Sequence, residues 1–141
     1  MQAHDRRGRW TLVFYAAALF NYAIGFPILL ARRWTYDLAY VSEVTRDPMA
    51  LRFWSDFGFG VVLIGVGYHL LARDVSKNRG IVLLGIFAKL FDVFNLTTLY
   101  LWGLAKPLVL VPALIDAAFV VLFVAFWIST ARSLKQSVWT L

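Results

Sequence analysis

The sequence predicts an all-α integral membrane protein, a single bundle of four transmembrane helices. Two observations carry this prediction. The 141-residue chain is 61% hydrophobic and 17% aromatic, well beyond the apolar share of a soluble domain. Its apolar residues also gather into four stretches, 10–31, 48–72, 80–102 and 107–129. Each has at least the ~20 residues that a helix needs to cross the hydrocarbon core. At this length residues 1–141 form one domain, with no internal repeat, low-complexity tract or linker.

The first span follows Arg6, Arg7 and Arg9, the pattern of a signal peptide. However, it is long enough to cross, and "LLARRW" offers no small-x-small cleavage site, so it reads as a retained helix. The connection over 32–47 is too polar to cross. Trp34, Tyr36 and Tyr40 set it against the interface, either as a short amphipathic helix or as an ordinary loop. Asp47-Pro48 opens the second span, because Asp caps the free N–H groups and proline suits the first helical position. "RDVSKNRG" is a tight polar turn into the third span. Gly103 closes that span and Pro107 opens the fourth. Pro27 and Pro112 lie within apolar runs; Pro112 either kinks the fourth helix or begins it.

Trp10 and Trp127 fall near one face, and Trp34, Trp54 and Trp102 near the other, as interfacial belts do. Eight Lys and Arg residues lie on the side of the termini and five on the side of the 32–47 connection. The positive-inside rule then places both termini in the cytoplasm, in a bacterial inner membrane or another cell membrane. The net charge of +6 follows from this topology, and nucleic acid is not expected as a partner. The absence of cysteine excludes disulfides and thiolate chemistry. There is no phosphate loop, nucleophile elbow, metal-binding His pair or dinucleotide fingerprint, so no cofactor and no metal are expected.

Within the spans the polar residues are few and share a depth. At a rise of ~1.5 Å per residue, Asn21, Asp56, Asp92 and Asp116 lie ~12–16 Å from the 32–47 side, one from each helix. Lys89 lies about one turn deeper. Asn21 shares a helical face with Ala17, Ala18 and Gly25; Asp56 with Gly60 and Gly67; Asp116 with Ala113 and Ala117. Small residues mark helix–helix contact in membranes, so these polar groups are expected to point inward. On the third span Gly85, Lys89, Asp92, Leu96 and Tyr100 form one stripe, flanked by Asn95.

Charge arithmetic sharpens the expectation. Arg52 reaches Asp56 at i, i+4, and Lys89 pairs with Asp92 or with Asp116, but not fully with both. One carboxylate is left to take a proton or hold a cation. The competing structural reading is that the layer only glues helices, at about 0.6 kcal/mol per hydrogen bond. Asp56, Asp92 and Asp116 are the candidate acid–base groups. Asn21, Lys89, Asn95, Tyr100, Phe123 and Trp127 are the candidate ligand-lining residues. His69 lies on the face of Gly58 and Gly65 and reads as structural, and His4 belongs to the basic tail.

The runs "DPMALRFW", "GVVLIGVGYHLLARD", "VLLGIFAKLFD" and "LIDAAFVVLFVAF" carry a loose resemblance between 47–126 and small uncharacterised four-helix membrane proteins of bacteria. The resemblance implies the bundle and no activity, and it picks out Lys89 and Asp116.

Three functions fit this pattern. The first is binding or transport of a small lipophilic or cationic ligand, or of protons. One bundle is small for a pathway, so a homodimer in the lipid bilayer is expected there. The second is an intramembrane isomerase or cyclase working by acid–base chemistry on an isoprenoid-like lipid. Phe94, Tyr100, Phe123 and Trp127 would then supply cation–π stabilisation. The third is an accessory subunit of a larger membrane complex, with Gly58 and Gly65 beside His69 as its contact surface.

Overall fold

The computed structural model describes residues 2–42, 44 and 46–138, with side chains over 8–42, 44 and 46–130. The described residues form helices α1 (Gln2–Leu30), α2 (Arg32–Ala39), α3 (Pro48–Arg73), α4 (Arg79–Leu101) and α5 (Leu110–Val138). A 3₁₀ turn, Pro107–Val109, leads into α5. Gly8–Leu30, Pro48–Arg73, Arg79–Leu101 and Pro107–Thr130 are long and apolar enough to cross a membrane. These bounds fall within two residues of the expected spans.

Local chemistry sets the ends. The Ala50 N–H donates to the Asp47 carboxylate at 2.7 Å, capping α3 with proline at its first position. Asn78 takes a left-handed conformation (φ 56°) before α4, and Gly103 (φ +72°) ends the turn after it. Pro112 is the third residue of α5, where a helix N–H has no partner to lose, so it begins the helix without kinking it.

The long helices pack as two close pairs, α1 with α3 and α4 with α5. Glycines let the first pair approach. A Cβ on Gly58 would sit 2.5 Å from Ile28, one on Gly65 2.8 Å from Tyr22, and one on Gly25 2.7 Å from Val62. This corrects two expectations. The packing face of α3 is Gly58 and Gly65, seven residues apart, not Gly60 and Gly67. The same two glycines are covered by α1 and offer no external contact surface. Gly60 has open space around it, and Gly67 faces only Ile81.

Toward the end that carries the chain termini, aromatic rings fill the centre. Phe14, Tyr68, Phe123 and Phe126 are fully buried, together with Leu71 and Val82. Phe14 lies 5.2 Å from Phe123 and 5.0 Å from Phe126, and Trp10 lies 5.3 Å from Phe126, closing α1 onto α5. Here the bundle is dry.

The opposite end is roofed. The connection over 32–47 folds as α2 rather than as a plain loop, burying Thr35 and Tyr36 while Arg32, Arg33 and Asp37 stay exposed. The Trp54 indole N–H donates to the Thr35 hydroxyl at 2.9 Å. Beyond α2 a one-residue antiparallel bridge joins Tyr40 and Ala105. There the Val41 N–H donates to Leu104 O at 3.1 Å, and the Lys106 N–H to Ala39 O at 2.8 Å. Burial among Tyr36 and Trp54 pushes the Tyr40 hydroxyl above its usual pKa. Trp34, Trp54 and Trp102 lie at this end, and Trp10 and Trp127 at the other. The side chains of His4, Arg6, Arg7, Arg132 and Lys135 lie outside the described residues.

Candidate functional site

Three of the expected polar residues meet in one buried cluster. The Lys89 ammonium donates to the Asp116 carboxylate and, at 3.3 Å, to the Asn21 side-chain oxygen. Lys89 is 2% exposed, Asp116 4% and Asn21 6%, so the pair is dry. The Asn21 amide also donates to Val61 O at 3.1 Å. That contact needs Gly65 in the next turn of α3, since a Cβ there would crowd Asn21 at 3.1 Å. One asparagine thus ties α1 to α3 through the backbone and to α4 through the lysine.

Aromatic faces complete the shell around the ammonium. Its nitrogen lies 5.3 Å from the Phe20 ring, 5.1 Å from Phe119 and 5.6 Å from Tyr68. The negative ring faces share the positive charge without further carboxylates. Gly85 makes room for Tyr68: a Cβ there would lie 2.6 Å from the phenol oxygen. That oxygen is buried and has no hydrogen-bond partner among the described residues.

Directly toward the α2 end lies a cavity of about 370 Å³. Asn21, Asp92 and Asp116 supply its polar lining in the bundle. Phe20, Phe57, Val61 and Leu96 line its sides, and Trp34, Thr35 and Leu38 of α2 cover it. Asp92 is half-buried, and its carboxylate makes no hydrogen bond or ion pair among the described residues. The choice the sequence left open is therefore resolved in geometry. Lys89 pairs with Asp116 on the neighbouring helix α5, and Asp92 is the acid left over.

The remaining candidates lie elsewhere. Asp56 is exposed, bound to a still more exposed Arg52 at 3.2 Å, and does not line the cavity. It sits on the α3 face away from Gly58 and Gly65, so the glycines that bring α1 close turn Asp56 outward. Asn95 is half-buried but outside the cavity lining, and Tyr100 is 36% exposed. Phe94 is 70% exposed and points away. Phe123 belongs to the dry aromatic core, 5.1 Å from Tyr68. Trp127 lies at the terminal end, 4.9 Å under the Arg79 guanidinium, which also donates to Thr130 at 2.9 Å. His69 is exposed and meets Tyr15 edge-on at 5.4 Å.

Sequence reasoning missed Phe20, Phe119, Tyr68 and the α2 roof. A signal existed for Phe119, three residues after Asp116 on the same helical face. None existed for Tyr68, which reaches Lys89 from another helix. Among the described residues no group of three acidic or histidine side chains is placed to hold a metal ion.

Comparison with protein-family models, with curated proteins and with solved structures finds no match for this chain.

Proposed function

We propose that the chain is an integral membrane protein that holds one small lipophilic ligand in the cavity beneath α2. The four apolar helices support the membrane placement by length and composition. The excess of Lys and Arg on the terminal side supports cytoplasmic termini, with α2 on the outer side. A single observation carries the binding reading: a cavity of about 370 Å³ with apolar walls and a free carboxylate on its floor. Ligand sites have this size and this pattern of few, convergent polar groups. Binding is favoured over a continuous pathway, because the inner half of the bundle is closed by fully buried aromatic rings.

Asn21, Lys89 and Asp116 act as the fixed base of the site, with Asp116 also reaching its floor, and Asp92 as the group that meets the ligand. The test uses purified protein in lipid nanodiscs, exposed to a total lipid extract and analysed by native mass spectrometry. Wild type should retain a lipophile that Val61→Trp, which fills the cavity, does not. Retention of the same molecule by Val61→Trp would sink the reading, as would a wild type that retains nothing.

The unpaired Asp92 beside Phe20 and Phe57 supports a second reading, acid–base chemistry on an isoprenoid-like lipid in the same cavity. Asp92 would exchange the proton and the rings would face a developing cation. A new product in the extract, absent with Asp92→Asn, distinguishes this reading from simple binding.

A further inference from the structure

The cavity has a chemical preference that its lining spells out, given that it is a binding site. Its hydrogen-bond donors are largely spent. The Trp54 indole N–H is used on Thr35, the Thr35 hydroxyl lies 3.2 Å from both the Ala31 and Arg32 carbonyls, and the Asn21 amide donates to Val61 O. The Lys89 ammonium is turned into Asp116 and Asn21 and is not part of the lining. The acceptors are not spent. Both oxygens of Asp92 lack a donor among the described residues, and Asp116 uses only one oxygen on Lys89. Lys89 pairs with Asp116, so an ionised Asp92 faces the cavity with a charge that no ion pair among the described residues meets. A carboxylate beside apolar walls calls for a positive charge and for N–H donors together.

The way in is also marked. The cavity-lining residues of α3 and α4, namely Trp54, Phe57, Val61, Asp92 and Leu96, are all half-buried and form a back wall. The exposed lining residues are Ala23 on α1, Trp34 and Leu38 on α2, and Leu108 and Val111 where α5 begins. The mouth therefore lies between α1 and α5 beneath α2. It opens sideways, toward lipid in the membrane placement proposed above, while the roof is held by the Tyr40–Ala105 bridge.

We propose that the ligand is a lipophilic amine, protonated and singly charged, which enters from the outer leaflet between α1 and α5 and bonds its ammonium to Asp92. This rests on the cavity being a binding site. A hydrogen bond between charged groups beside apolar walls is worth about one to two decades of affinity over its neutral counterpart. An anionic amphiphile meets only acceptors and is excluded.

The experiment titrates wild-type protein in zwitterionic nanodiscs with four single-chain probes of equal length: dodecylamine, dodecanol, dodecyltrimethylammonium and dodecanoate. Empty nanodiscs give the background. The amine should bind roughly tenfold to a hundredfold tighter than the alcohol, with the trimethylammonium between them and the carboxylate at background. Asp92→Asn should reduce the amine to the level of the alcohol while alcohol binding persists, which reports a folded cavity. Val111→Trp at the mouth should slow entry of every bound probe. Equal affinity for amine and alcohol in wild type, or an amine preference that survives Asp92→Asn, overturns the amine assignment and leaves the cavity reading standing. No binding of any probe above background overturns both.

Discussion

Replacing Lys89 by Met keeps an unbranched side chain, one atom shorter, and removes its charge. The consequence follows from the burial of its partners. Asp116, at 4% exposure, would keep a carboxylate with no cation, and Asn21 would keep an oxygen with no donor. Removing one side of a buried ion pair costs about 3–5 kcal/mol, a large share of the roughly 5–15 kcal/mol that holds a domain folded. Replacing both partners by apolar groups removes the stranded charge. Lys89→Met with Asp116→Leu should therefore recover about half of the loss, leaving the ~1–3 kcal/mol of the unsatisfied Asn21 oxygen. Lys89→Met with Asp92→Asn should recover little, since Asp92 is not the partner. Reversible unfolding by SDS titration into mixed micelles, followed by circular dichroism at neutral pH, measures all four proteins. A Lys89→Met protein as stable as wild type would refute the buried pair. Equal rescue by Asp92→Asn and Asp116→Leu would refute the pairing.

Three further predictions concern packing, the roof and the turn. Gly58→Ala should destabilise by forcing Ile28, and α1 with it, away from α3, whereas Gly60→Ala, with open space around it, should stabilise by up to ~1 kcal/mol; thermal melts compare them directly. Trp54→Phe removes the 2.9 Å bond to Thr35 and should cost about 0.5–1.5 kcal/mol, with faster hydrogen exchange confined to α2. In the turn after α3, the Ser76 hydroxyl, Lys77 and the Ser76 N–H hold the Asp74 carboxyl at about 2, below its ordinary 3.8. A depressed pKa stabilises above the unfolded value and is lost as pH falls through the folded one. Asp74→Asn should thus melt below wild type at neutral pH, and the two should converge as pH falls from about 4 to about 2. A gap that persists at the acid end would mean that the carboxylate does not stabilise the turn.

Lengths and depths were legible in the sequence, and angles were not. Apolar length and end chemistry, Asp47-Pro48 and Gly103 above all, located the four apolar spans to within two residues, while α1 and α5 run on past them at the chain ends. Counting rise per residue put Asn21, Lys89 and Asp116 close enough in depth to meet, and they do. Azimuth failed on α3, because that helix carries glycine stripes on two faces and only partner packing selects one. Asp56 was lost with that choice. The identity of the lysine's partner was equally hidden, since Asp92 is near Lys89 on its own helix and Asp116 only in space. The roof over the cavity depends on a bridge between Tyr40 and Ala105, a pairing that neither segment announces.

The Lys89–Asp116 pair also bears on how the chain is made. The two residues are 27 positions apart, so the third span leaves the ribosome well before its counter-charge does. A lysine at the middle of a lone inserting helix costs about 3 kcal/mol in the translocon. The lysine of α4 is therefore made before its partner, and only the completed α4–α5 hairpin holds both halves of the pair.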